Sequence, residues 1–228
     1  MAVDRPGFGY SGRPRDGASP VVQARLLHAA VQMLGVERPV LVAQSRGVSI
    51  ALAYALHHPG EVAGVVDLGG YAFFGTAWAP WYTRLLMVPV LGALLAHTIY
   101  VPCLGRRAVE AGLRAVFAPE GAPPLEYVRA YAAMILRPTS MRALADDQLH
   151  STRAMQAVMA RYPELQVPLV IINGTADAST PIEQARRLHR IVPGSRLAVP
   201  PGAGHEVMFF HPDKVMQGID AVLQQGPA

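Results

Sequence analysis

Apolar residues recur along the chain in two different periods, and the alternation between them predicts the elements. Between residues 20 and 34, Val22, Leu26, Ala30, Val31 and Leu34 repeat mostly at three- and four-residue steps, which places them largely on one face of a helix. Ser19 precedes that face as an N-cap, Pro20 takes the first helical position, and Gly35 ends the run. Residues 39–43 are unbroken apolar, the pattern of a short central strand buried on both faces. A helix over about residues 47–57 stops before Pro59, and residues 62–68 supply the next strand. Upstream, residues 2–4 read as the end of a strand that runs into a Gly- and Pro-rich loop through Arg15.

The pattern changes after Tyr71. As far as about Leu165 no strand is evident, and helical segments are punctuated by prolines at 80, 89, 102, 119, 123, 124 and 138. Alternation then resumes with a strand at 169–173, a helix opening at Thr180-Pro181 with Glu183 in its first turn, a strand at 196–199 and a last helix from near Pro212. This order predicts an α/β fold, a mostly parallel sheet flanked by helices. Residues 1–70 and 166–228 would form the core, and residues 71–165 an inserted helical cap.

Composition narrows the function classes. With 228 residues, 51% apolar and 16% charged, the chain has material for one packed core, which excludes a disordered chain. A formal charge of +4 and a pI near 9.5 come from scattered arginines. The pairs Arg106-Arg107 and Arg186-Arg187 read as solvated helix faces, so no nucleic-acid partner is expected. A single cysteine, Cys103, excludes an internal disulfide and offers no CxxC metal or redox site; its apolar neighbours predict a packing role. The uncharged run from Leu85 to Leu104 has the length of a membrane span, but Pro89, Gly92, His97 and Pro102 interrupt it. Two short helices broken at the prolines are expected there, and membrane association is not. No charged segment followed by an apolar one opens the chain as an export signal would.

Four short segments carry chemistry. Residues 42–47, VAQSRG, put Ser45 between a strand and a helix with small residues, Ala43 and Gly47, two positions to either side. Such a turn leaves no room for larger side chains, although a serine capping a helix start would produce a similar segment. Residues 4–11, DRPGFGYS, match DxPGxGxS; residues 174–177, GTAD, match GxxD; residues 202–205, GAGH, match GxGH. Each follows a predicted strand.

Together these segments resemble the serine-nucleophile branch of the α/β-hydrolase fold family, whose chain order is Ser, Asp, His. The resemblance covers essentially the whole chain and is weakest in the cap. It departs from the family at Ala43, where glycine is usual, and at Val48. It implies Ser45 as nucleophile, His205 as general base and Asp177 as the acid that orients it, with the backbone N–H of Arg46 as an oxyanion donor. It implies no cofactor and no metal. Gln44, Trp78 and Phe117 are candidate substrate contacts, and the aromatic residues Phe73, Phe74, Trp78, Trp81, Tyr82 and Phe117 favour a small, hydrophobic acyl substrate unless they form the cap's own core. The expected activity is cleavage of an ester or related acyl bond; the alternative is a noncatalytic, hydrolase-like binding protein.

Other groups compete for these roles. His57 and His58 end a helix, His28 and His189 lie within helices, and His97 and His150 fall in the cap. His211 is the rival base, without the Gly-His turn. Asp67 is the rival acid, because it falls in the strand after the nucleophile helix and some hydrolases of the family take their acid from the end of that strand; an Asp inside a buried strand needs a partner, so a structural hydrogen bond is the other reading. The family's second oxyanion donor lies in the loop after its third strand, and the chain opens in what matches the fourth. A longer gene product is therefore expected, with an exposed strand edge and weak activity in this segment by itself.

Overall fold

A computed structural model describes residues 1–74, 81–88 and 90–225. Its elements in chain order are α1 (Pro20–Met33), β1 (Val40–Gln44), α2 (Arg46–His57), β2 (Gly64–Leu68), α3 (Trp81–Leu86), α4 (Leu91–Leu95), a π-helix (Ala96–Gly105), α5 (Arg106–Phe117), α6 (Leu125–Ile135), α7 (Pro138–Ala160), β3 (Leu169–Ile172), α8 (Ile182–Ile191), β4 (Arg196–Ala198), α9 (Val207–Phe210) and α10 (Pro212–Gln224). The four strands pair in parallel in the order β1-β2-β3-β4. A fold in which helices lie between successive parallel strands follows directly from the alternation in the sequence.

Strand periodicity divides the core into two layers. Val65, Leu169 and Ile171 turn to a cluster built on α2, whose residues from Val48 to Leu56 are all buried. Val66, Leu68, Val170 and Ile172 turn to the opposite face, where Val222 and Ile219 of α10 cover them. Because β2 and β3 are buried on both faces, every residue in them is apolar except Gly64 and Asp67. Each large aliphatic side chain sealed here contributes about 1.5–3 kcal/mol.

Several local signals act as expected. The Ser19 side chain accepts the Val22 N–H, and Pro20 opens α1. Residues 2–4 differ from expectation: they form no strand, and among the described residues β1 pairs only with β2. Instead Val3 joins Leu26, Leu27, Leu41 and Val42 around a groove of about 710 Å³ along the free edge of β1. The N-terminal loop is anchored by charge. Arg5 and Arg13 both reach the buried Asp147 of α7 at 2.7 Å, and Arg13 also meets Asp146 at 2.6 Å.

Helices fill the segment from 81 to 160, with α7 packing on α1 and α2. No helix among the described residues is long and apolar enough to cross a membrane. Pro89, expected to break the uncharged run, and Trp78 lie outside the described residues. Pro102 does not end its helix but sits inside the π-helix, where the wider backbone bonding accommodates a residue without an N–H. Cys103, expected to pack, is exposed on that same helix. An apolar cavity of about 340 Å³ lies within this segment, lined by Leu86, Leu113, Val116, Tyr131 and Met141 among others.

Candidate active site

The C-terminal ends of the parallel strands bring the singled-out residues to one edge of the sheet. Ser45 follows β1 directly and adopts φ 52° and ψ −122°, a left-handed conformation rare for a residue with a side chain. Hydrogen bonds on both sides hold it there: its N–H donates to Leu68 O at 3.0 Å, and its carbonyl accepts the Tyr71 N–H at 3.0 Å. The serine side chain makes no capping bond to α2, so the alternative reading as an ordinary helix cap does not describe it.

Asp177 follows β3 and His205 follows β4, and the two meet. His205 Nδ1 donates to Asp177 Oδ2 at 2.8 Å, with both residues buried. The carboxylate is fixed further by the N–H groups of Ser179 and Thr180 at its Oδ1, 2.8 and 2.7 Å away, and by Asn173 Nδ2 at its Oδ2, 3.4 Å. A carboxylate so encircled by donors fixes the orientation of the imidazole and, in the neutral ring, favours the tautomer with its proton on Nδ1. Gly69, at the end of β2, presses on this pair: a β-carbon there would lie 2.9 Å from Asp177 Oδ2 and 3.2 Å from His205 Nδ1, and its φ of 53° already favours glycine.

The neighbouring candidates take distinct positions. Gln44 Nε2 donates to the His205 carbonyl at 3.4 Å, so it braces the histidine loop. Arg46 turns its side chain toward α7, donating to Ser151 Oγ at 3.0 Å and lying over the Phe74 ring. Burial pulls its guanidinium below the ordinary value, with Asp147 acting against that shift. Phe117 is buried among Tyr127, Phe209 and Phe210, an aromatic cluster that accounts for it without a ligand. His211 is engaged by Glu120 at 2.5 Å rather than by Asp177. Asp67 is fully buried in β2, its Oδ1 without a hydrogen-bond partner among the described residues. Burial raises its pKa to about 7, against a smaller opposing effect of the Gly70 N–H.

Glu120 was not singled out from the sequence. It lies in the connection between α5 and α6, and its other oxygen, Oε2, accepts the N–H of Gly204 at 2.6 Å. One carboxylate from the helical segment therefore grips the loop on both sides of His205. The contacts span 84 and 91 residues of chain, which is why no local pattern announces them.

Comparison with known proteins identifies the fold family. The profile of the alpha/beta hydrolase fold matches residues 1–212. The chain belongs to the α/β-hydrolase fold family. It is 28% identical over 241 residues to a 2-hydroxymuconate semialdehyde hydrolase from Pseudomonas putida, covering 100% of this chain and 78% of that protein. It is 25% identical over 217 residues to protein ABHD8 from Homo sapiens, covering 94% of this chain but only 46% of that protein. An esterase from Exiguobacterium antarcticum superposes with a TM-score of 0.72 at 21% identity, covering 98% of this chain and 80% of the esterase, which shows a shared fold. The family match and the hydrolase-named relatives support a hydrolase.

Proposed function

We propose that this α/β-hydrolase cleaves an ester or related acyl bond of a small, apolar substrate through an acyl-enzyme on Ser45. The observation that carries the reading is the buried His205–Asp177 pair at the strand ends, beside a serine held in a left-handed turn. Proton transfer from Ser45 Oγ to His205 Nε2 accompanies attack of Oγ on the acyl carbon. The carbonyl oxygen becomes an oxyanion, toward which the Arg46 N–H at the start of α2 donates. Collapse expels the alcohol, which takes the proton from His205. Water then attacks the acyl-enzyme with the same base, releasing the acid and restoring Ser45.

The apolar side chains of the helical segment favour a hydrophobic acyl group, and they enclose a cavity lined by that segment alone. One of its walls is Tyr131, whose hydroxyl is pushed up by burial and is influenced by the charges of Arg5 and of Glu206, next to His205. On this reading residues 71–165 act as the cap over the site. The names of the relatives favour a second reading in the same class, a carbonyl-rich acid as substrate. Arg46 offers no ready counter-charge for such an acid, because its guanidinium is already tied to α7.

A fluorophosphonate probe distinguishes an enzyme from a binding protein. Covalent labelling mapped to Ser45 by mass spectrometry, and absent in Ser45→Ala, is the expected result. A folded protein that stays unlabelled, or is labelled elsewhere, overturns the reading. Glu120 supplies a finer check: Glu120→Ala is expected to lower kcat about tenfold or more with little change in KM, since it frees the loop that carries the base. Glu120→Gln, which still presents an acceptor to Gly204, retains most of the rate; equal losses in both variants would count against a positioning role.

A further inference from the structure

At the far end of α2 from Ser45, three side chains converge that the proposed reaction does not use. His28 of α1 donates from Nε2 to Glu61 Oε2 at 2.8 Å, and His58 Nδ1 lies 3.6 Å from Glu61 Oε1. The candidate ligand atoms of His28, His58 and Glu61 all fall within 4.8 Å of one another. We propose that these three residues form a binding site for a divalent transition metal of the zinc type, joining α1 to the turn that follows α2.

The donor set fits that class of ion. Two imidazoles and one carboxylate are borderline ligands that suit zinc, nickel or copper, whereas calcium and magnesium demand oxygen throughout. A tetrahedral zinc with bonds of about 2.0–2.2 Å sets its ligand atoms roughly 3.3 Å apart. The 2.8 Å from His28 runs to one oxygen of Glu61 and the 3.6 Å from His58 to the other, with one donor atom from each residue within 4.8 Å of the rest, so side-chain rotation would draw all three onto one ion. The metal would replace the proton that His28 now shares with Glu61, and solvent reaches the cluster to supply the fourth ligand. His28 and His58 are each about a quarter exposed, and Glu61 about half.

The three side chains already lie against one another, and ligation would tilt the two imidazole rings out of their parallel stack, because their in-plane lone pairs converge on one ion only from rings that are not parallel. The two imidazole rings stack at 3.7 Å, and the Tyr54 ring meets both edge-on at 5.5 and 5.4 Å. Tyr54 is completely buried, so it forms a fixed floor. Gln32 Nε2 donates to Glu61 Oε2 at 2.6 Å, orienting the carboxylate as partners of metal ligands do. His57, next in sequence, is occupied by Ala53 O at 2.7 Å. A 12-residue helix separates the cluster from Ser45 by about 18 Å, so the ion would act on the fold and not on the chemistry.

Titration calorimetry on the untagged, chelator-stripped chain with zinc chloride at pH 7.5 tests the assignment. Binding near one equivalent is expected, with a rise in Tm. His28→Gln and Glu61→Gln are each expected to weaken binding at least tenfold while leaving the circular dichroism spectrum and fluorophosphonate labelling unchanged. Should either variant fail to fold, cobalt added to the unaltered chain provides the second readout, through visible bands characteristic of nitrogen and oxygen ligation in a tetrahedral site. No binding by the unaltered chain, or equal affinity in both folded variants, overturns the proposal, and neither result bears on Ser45.

Discussion

Replacing Asp177 with asparagine is expected to lower both turnover of an activated ester and the rate of fluorophosphonate labelling by about four orders of magnitude. The fold should survive, because Asn retains an oxygen for the Ser179 and Thr180 N–H groups. What changes is the atom facing His205 Nδ1. An amide NH₂ there meets an acceptor, so the imidazole flips its tautomer and Nε2 carries the proton that it should receive. Ser45→Ala is expected to cost more, about six orders of magnitude, since no nucleophile remains. Initial rates of ester hydrolysis and labelling time courses measure both; an Asp177→Asn variant within tenfold of the parent would remove Asp177 from the proposed mechanism. A steep loss there alongside an inert Asp67→Asn would also settle which acid orients the base.

Asp67 should instead reveal itself in stability. Its carboxyl titrates near pH 7 in the folded chain against an ordinary value of 3.8, so the folded state holds a proton that the unfolded state has released over that interval. Stability is therefore fully retained below about pH 4, falls as pH rises toward 7, and levels off above it. The shift corresponds to at most about 4 kcal/mol at the alkaline end. Asp67→Asn removes this dependence. Urea unfolding of parent and variant at pH 4.5 and 8 should show the variant gaining on the parent by up to about 3 kcal/mol between the two conditions. Parallel pH profiles would mean that the buried carboxylate finds compensation elsewhere.

The sequence exposed those features whose causes are local. Ser19-Pro20 specifies the start of α1, and the glycine-bounded turns locate Ser45, Asp177 and His205 at strand ends; the unbroken apolar run at 39–43 gives a strand but not the expected central one, since β1 is the edge strand, only half-buried, with Val42 exposed. These features depend on steric rules within a few residues. Features requiring distant partners were not legible. Residues 2–4 have strand-like composition but, among the described residues, no neighbouring strand with which to share hydrogen bonds. Cys103 lies in an apolar run, yet its helix turns it outward, and Pro102 is absorbed by a π-helix that no periodicity signals. Phe117 looked equally suited to lining a pocket or filling a core, and only its packing on Phe209 and Phe210 separates the two. His28 and His58 read as unrelated helix residues until the α1–α2 packing stacked their rings.

The double grip of Glu120 on the loops around His205 has a consequence for engineering. The helical segment is the natural portion to exchange when a different substrate preference is wanted, because the sheet and its strand-end residues can be left untouched. A graft that omits an acceptor at this point would unfasten the loop carrying the imidazole and spoil catalysis for every substrate. Transplants should therefore be chosen by whether they can re-tie the Gly204 amide, before their pocket shape is considered.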